Sequence, residues 1–150
     1  MEPKIVSRAS FTVVGMKYRG KNENNEIPQL WGEFGPRMHE IKPVANPHIA
    51  YGVCDNLDRS SGEFDYIAGF EVSSAAEVPT GMVSWDIPKG KYAVFTCTLP
   101  TLGEAYHYAY HTWLPQSGYQ RAAGPEFELY DERFDLKDPG SEMDVYIPIK

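Results

Sequence analysis

Two stretches with helical spacing of apolar residues, 28–41 and 101–114, each stand between strand-like segments, and the element order around them is the same. In the first, Leu30, Trp31, Phe34, Met38 and Ile41 fall on one stripe. Pro28 suits its first turn, whereas Gly35-Pro36 predicts a kink or a split. In the second, Leu102, Ala105, Tyr106, Ala109 and Trp113 form the stripe. Thr101 and Glu104 have capping-box spacing, and Pro115 predicts an end near Leu114. Strands are expected at 10–18, 48–55, 63–73, 82–87 (short), 91–99, 124–130 and 142–149, where β-branched and aromatic residues alternate with other types. Pro148 points to an edge position for the last of these.

The order strand, helix, two strands, then a short strand, then strand, helix, two strands reads as an internal duplication. Tyr51 and Tyr130 are 79 residues apart, as are Asp65 and Asp144. The expected fold class is α+β: duplicated β-α-β-β units with pseudo-twofold symmetry, an antiparallel sheet and two main helices. One domain over 1–150 is expected, with halves at roughly 1–77 and 78–150. A cleft near such an axis is a natural place for a ligand.

The net charge is −7 and no Lys/Arg cluster stands out, so direct nucleic-acid binding is not expected. No apolar run approaches the roughly 18 residues of a membrane span, and the N-terminal residues lack the pattern of a signal peptide. The chain therefore reads as cytoplasmic with no membrane partner. Cys54 and Cys97 lie in strand-like runs without metal-ligand spacing and read as free, buried thiols.

The stretch Gly124–Tyr130 carries the most chemistry. In a strand, Phe127 and Leu129 point one way and Glu126, Glu128 and Tyr130 the other. Glu128 is either a solvated residue on an open sheet face or a carboxylate among aromatic rings, costly to bury unless paired, protonated or awaiting a cation. Ten tyrosines and three tryptophans accompany it. Tyr51, Tyr66, Tyr130 and Tyr146 fall on the four hairpin strands. Tyr106, Tyr108, Tyr110 and Trp113 crowd the second helix, with Trp31 on the first. Read one way this is an aromatic core; read the other way it is a cage for a flat, cationic organic molecule. His107 and His111 are four apart on one helix face but have no third ligand in view, so no metal site and no cofactor are expected.

Five segments together resemble the GyrI-like small-molecule-binding domain, the effector-binding domain of AraC-type activators and multidrug-sensing regulators. They are Phe11-Thr-Val-Val-Gly15, Ile87-Pro-Lys-Gly-Lys-Tyr-Ala-Val-Phe95, Trp113-Leu-Pro-Gln-Ser-Gly-Tyr119, Glu128-Leu-Tyr130 and Asp144-Val-Tyr-Ile-Pro148. The resemblance implies a duplicated strand-helix-strand-strand fold with a pocket between its halves. It places Glu128 at the pocket base and Tyr130 and Tyr146 on lining strands. Tyr51, Tyr66, Tyr106, Tyr110, Trp113 and Trp31 follow by element order. It implies a stand-alone effector-binding domain, lacking the regulators' DNA-binding segment, that takes planar or amphipathic, cationic ligands. Relatives also suggest two alternatives. One is a hydrolase opening cyclopropane-bearing electrophiles, with Glu128 as general base and Tyr130 holding the oxyanion. The other is an inhibitor of a protein partner, of gyrase-modulator type. A small-molecule ligand is the expected partner, and a homodimer or protein partner is left open.

Overall fold

The computed structural model describes residues 2–150. Eight strands form one antiparallel sheet: β1 (Lys4–Arg8), β2 (Phe11–Gly20), β3 (Ala50–Asp55), β4 (Phe64–Val72), β5 (Val83–Ile87), β6 (Gly90–Thr98), β7 (Glu126–Tyr130) and β8 (Glu142–Ile149). Their spatial order is β1-β6-β8-β7-β3-β4-β2-β5. Helix α1 (Glu26–Phe34) crosses between β2 and β3. Helix α2 (Leu102–Tyr108) and the short α3 (Leu114–Ser117), joined by a π-helical turn at Ala109–Trp113, cross between β6 and β7. The α+β duplication read from the element order is the architecture found.

The sheet order is symmetric about the seam between β7 and β3, and it shows a strand exchange that element order alone does not reveal. The outermost strand beside β6 is β1, which precedes β2 in the chain; the outermost strand beside β2 is β5, which precedes β6. Only Ala9 and Ser10 separate β1 from β2, yet six sheet steps lie between them. A flat sheet would need about 29 Å for six steps. The three residue-to-residue links from Arg8 to Phe11 span at most about 11 Å. The sheet must therefore curl until its ends approach, and the guanidinium of Arg8 lies 4.0 Å over the ring of Phe11. β1 itself was not expected. It is short, follows Pro3 and is mostly exposed or half-buried, so it carries little alternation to read.

The curl encloses one core and leaves two outside. Phe11, Val13, Tyr51, Val53, Ile67, Tyr92, Val94, Phe127 and Leu129 pack inside. On the outer face, α1 covers Val14, Tyr66, Ala68 and Phe70 with Leu30 and Phe34. The helical segment from α2 covers Phe95, Met143, Val145 and Ile147 with Ala105 and Ala109. Between these two patches lies the β7–β3 seam.

The α-helical geometry changes at Gly35-Pro36, as the kink or split read from the sequence requires, whereas Pro115 departs from expectation. At Gly35-Pro36 the chain tightens into a 3₁₀ segment, Gly35–Glu40, which keeps Met38 against the same core and carries the chain on to buried Ile41. Pro115 does not end the second helix. A proline cannot donate to the carbonyl four residues back and its ring crowds that carbonyl; the π-turn just before it widens the helix, which then continues to Ser117. Thr101 forms no capping box: its hydroxyl instead meets the backbone and side chain of Thr98. β8 is interior, not an edge. Pro148 lies two residues past the last β7 pair at Tyr146, beside residues 120–122. Its carbonyl accepts from the Ala122 N–H, and the Ala122 carbonyl takes its bond from Arg121 Nη1, so the missing proline N–H leaves no acceptor unpaired there.

Because β1 completes the second half and β5 the first, the two halves are expected to unfold together. Thermal melts followed by near-UV circular dichroism and by tryptophan fluorescence should coincide; two separated transitions would mean independent halves.

Candidate ligand-binding site

β7 is five residues long, and its middle residue is Glu128. Across the seam it faces Gly52 of β3, and on its other side Val145 of β8. Residues in register share a face, so Glu128 projects outward into the gap between the two helix-covered patches. Glycine at position 52 is required there. A Cβ would lie 2.1 Å from the Tyr66 hydroxyl and 2.7 Å from Glu128 Oε1.

Three phenols converge on the carboxylate. Tyr130 donates to Oε1 at 2.7 Å, Tyr66 to Oε1 at 2.9 Å, and Tyr106 to Oε2 at 3.4 Å. Trp31 in turn donates its indole N–H to the Tyr66 oxygen at 2.9 Å. Its ring meets Tyr130 edge-on at 5.6 Å, and Phe134 backs Tyr130 at 4.8 Å. Each half thus contributes one helix residue and one strand residue: Trp31 and Tyr66 from the first, Tyr106 and Tyr130 from the second. Glu128 is only 6% exposed, and among the described residues it forms no ion pair.

The electrostatics follow from that burial. Loss of water pushes the Glu128 carboxyl above its ordinary value; the Tyr130 and Tyr66 hydrogen bonds pull it back in part, and nearby Glu126 pushes it further up. The phenols of Tyr66, Tyr106 and Tyr130 are raised by burial first and by the Glu128 charge second, so all three stay protonated as donors. Neutral donors solvate a charge without cancelling it. The ionised site is therefore a negative charge ringed by aromatic rings, the arrangement that attracts an organic cation.

A second rung lies one strand step away. Glu126 accepts a hydrogen bond from Tyr110, one helical turn beyond Tyr106. Arg121 donates from Nε to the Tyr110 oxygen at 2.9 Å and places Nη2 3.8 Å from Glu126. Burial raises the Glu126 carboxyl too, while Tyr110 and Arg121 draw it down. The alternation of the stretch had put Glu126 on this face; the participation of Arg121, in the irregular segment before β7, had no sequence signal.

Of the residues singled out from the sequence, Glu128, Tyr130, Tyr66, Tyr106 and Trp31 come together, and Tyr110 stands beside them at Glu126. Three do not join them. Tyr51 and Tyr146 lie on the inner face of the curled sheet: both contact Phe127, and Tyr146 stacks on it at 4.5 Å. Tyr51 adjoins Gly52 and Tyr146 adjoins Val145, the two residues level with Glu128, so the pleat sends both the opposite way. Trp113 packs on Phe95 and stacks with Tyr119, away from Glu128. The match of Tyr51 with Tyr130 at one offset is thus not an equivalence, since they face opposite sides. Asp65 and Asp144 do share the same situation. Each is opposite a side-chain partner on the neighbouring strand, Arg19 and Thr96 respectively.

His107 and His111 stack on each other at 4.4 Å on the exposed side of the helix. Among the described residues, no group of three potential ligands is placed to hold a metal ion. Cys54 and Cys97 are free. A cavity of about 280 Å³ opens behind Phe134, between Leu99, Pro100 and Leu136. No helix among the described residues is long and apolar enough to cross a membrane.

Comparison with known proteins agrees with this arrangement of elements. The family described as Cass2, integron-associated effector binding protein, matches residues 4–149. The transcriptional regulator BrlR of Pseudomonas aeruginosa is 45% identical over 152 aligned positions, covering 99% of this chain and 56% of that protein. The chain thus spans about half the length of that relative. Among solved structures, SAV2435 bound to tetraphenylphosphonium superposes with a TM-score of 0.76 at 20% identity, covering 100% of this chain and 94% of the other. The EcmrR C-terminal domain gives 0.76 at 12% identity, covering 99% and 97%. An integron cassette protein from Vibrio cholerae, VCH_CASS2, gives 0.66 at 18% identity, covering 99% and 96%. At these identities the structural likenesses establish the fold, while the family match covers nearly every residue. The chain belongs to the Cass2 family of integron-associated effector-binding proteins, within the GyrI-like effector-binding domains.

Proposed function

We propose that this chain binds planar or amphipathic organic cations at Glu128, in the gap between its two helices, as one effector-binding unit. The observation that carries the reading is a buried carboxylate whose hydrogen-bond donors are all neutral phenols. Nothing else in the fold accounts for such a group, because an unpaired buried charge works against folding. The half-buried rings of Trp31, Tyr106 and Tyr130 cover the carboxylate, and a ligand would reach it by displacing them. The likeness to SAV2435, which holds tetraphenylphosphonium, favours the same ligand class here. The identity to BrlR favours a role in transcription regulation, in which ligand occupancy is signalled to a DNA-binding segment or another protein partner of a cytoplasmic regulator.

Titration with tetraphenylphosphonium, followed by fluorescence, tests this directly, since Trp31 borders the site. Recovering the ligand intact by mass spectrometry separates binding from the hydrolytic alternative. Affinity should also depend on pH in a defined direction. Ionised Glu128 attracts the cation and protonated Glu128 does not, so affinity should be constant at high pH. It should then fall about tenfold per unit as pH drops through the Glu128 value. Because that value is raised, the fall should begin above the ordinary 4.5. A pH-independent affinity would sink the assignment to Glu128.

A further inference from the structure

We infer that Arg121 sets the charge of the ligand: it is a built-in counter-cation for Glu126, so the site presents one uncompensated carboxylate and prefers monocations to dications. The inference rests on the cation-binding reading above.

Glu126 and Glu128 are alternate residues of one strand and project from the same face, about 7 Å apart. Tyr110 and Tyr106 reach them from successive helical turns, so the two carboxylates have matching phenol partners. Two such acids side by side would suit a ligand carrying two positive charges. Arg121 breaks that equivalence. Its guanidinium bonds the Tyr110 hydroxyl that in turn bonds Glu126, and sits within ion-pair range of the carboxylate. It is also fixed in place. Nη1 donates to the carbonyls of Ala122 and, at 3.1 Å, Gly124, and the Arg121 backbone bridges to Ile149. A residue anchored this way is a permanent occupant of the second acidic position. Glu128 has no counterpart: the groups nearest it are three phenols and the Glu126 charge. Asp55 on the neighbouring strand adds a further negative charge near Glu126, but it adjoins Cys54, the residue level with Glu126, so the pleat sends it to the other face and it is not part of the site.

The test compares two flat aromatic ions of similar outline, N-methyl-4-phenylpyridinium with one charge and methyl viologen with two. Each is titrated calorimetrically into the wild-type chain, Arg121→Gln, Arg121→Lys and the double variant Arg121→Gln/Glu126→Gln. Wild type should bind the monocation at least as tightly as the dication. Arg121→Gln, whose amide can still donate to the backbone carbonyls, should raise dication affinity about tenfold while moving monocation affinity less than about threefold. Arg121→Lys should keep the wild-type preference, and the double variant should lose the gain. A wild-type preference for the dication overturns the inference, as does an Arg121→Gln protein that binds the monocation normally with no dication gain. Should Arg121→Gln fail to fold, Arg121→Met serves as the neutral variant, and the wild-type preference alone still decides. Failure of wild type to bind either ion would instead remove the cation-binding reading.

Discussion

Glu128→Gln is expected to lose organic-cation binding by about a hundredfold or more while raising the melting temperature of the ligand-free protein. The loss follows from Coulomb attraction. A unit charge about 5 Å from the carboxylate, in the intermediate dielectric of a half-covered site, is worth about 3 kcal/mol, or two orders of magnitude in affinity. The stabilisation follows from the same burial. The folded protein holds the Glu128 carboxyl above its ordinary value, so ionisation is resisted by the fold. For a group raised in this way, stability is fully present below the unfolded value and is lost as pH rises through the folded one. Glutamine does not titrate. The variant should therefore match wild type at low pH, where both side chains are neutral, and exceed it in stability and Tm at neutral pH. A variant less stable than wild type at every pH would show that the phenol hydrogen bonds outweigh the buried charge.

Gly52→Ala should damage the site from the opposite strand. The new methyl group would meet the Tyr66 hydroxyl at 2.1 Å and Glu128 Oε1 at 2.7 Å, closer than atoms tolerate. Both side chains end there and can shift, but not without parting. The Tyr66–Glu128 bond is then lost, and a buried carboxylate is left short of a donor at about 1–3 kcal/mol. Overpacking adds a similar cost. The expected result is a folded protein destabilised by about 2–4 kcal/mol, with cation affinity lowered at least about tenfold. Trp31 reports the change independently, because its indole bonds the displaced Tyr66 oxygen; its emission should shift. Unchanged stability and emission would mean that Gly52 does not frame the carboxylate.

Periodicity made the faces of single elements legible. Alternation separated Phe127 and Leu129 from Glu126, Glu128 and Tyr130, and both helical stripes face the sheet as their spacing indicates. Relations between elements were not legible. Whether Tyr51 or Gly52 stands level with Glu128 depends on strand register, and a shift of one residue exchanges the faces. Nothing in the local sequence of β3 fixes that register, so element order alone places Tyr51 and Tyr146 with tyrosines that point the other way. The exchange of β1 and β5 escaped for a related reason. Two-residue links such as Ala9-Ser10 and Pro88-Lys89 usually close hairpins, but here they join strands that never pair. Arg121 and Phe134, outside any periodic segment, needed the fold to be placed.

The most direct measurement is calorimetric titration with tetraphenylphosphonium and, in parallel, tetraphenylborate, an ion of the same shape and opposite charge, against wild type and Glu128→Gln. Saturable phosphonium binding, no borate binding and loss of the phosphonium signal in Glu128→Gln are the predicted results. Equal binding of both ions, unaffected by Glu128→Gln, would show a merely hydrophobic site and contradict the role given to this carboxylate.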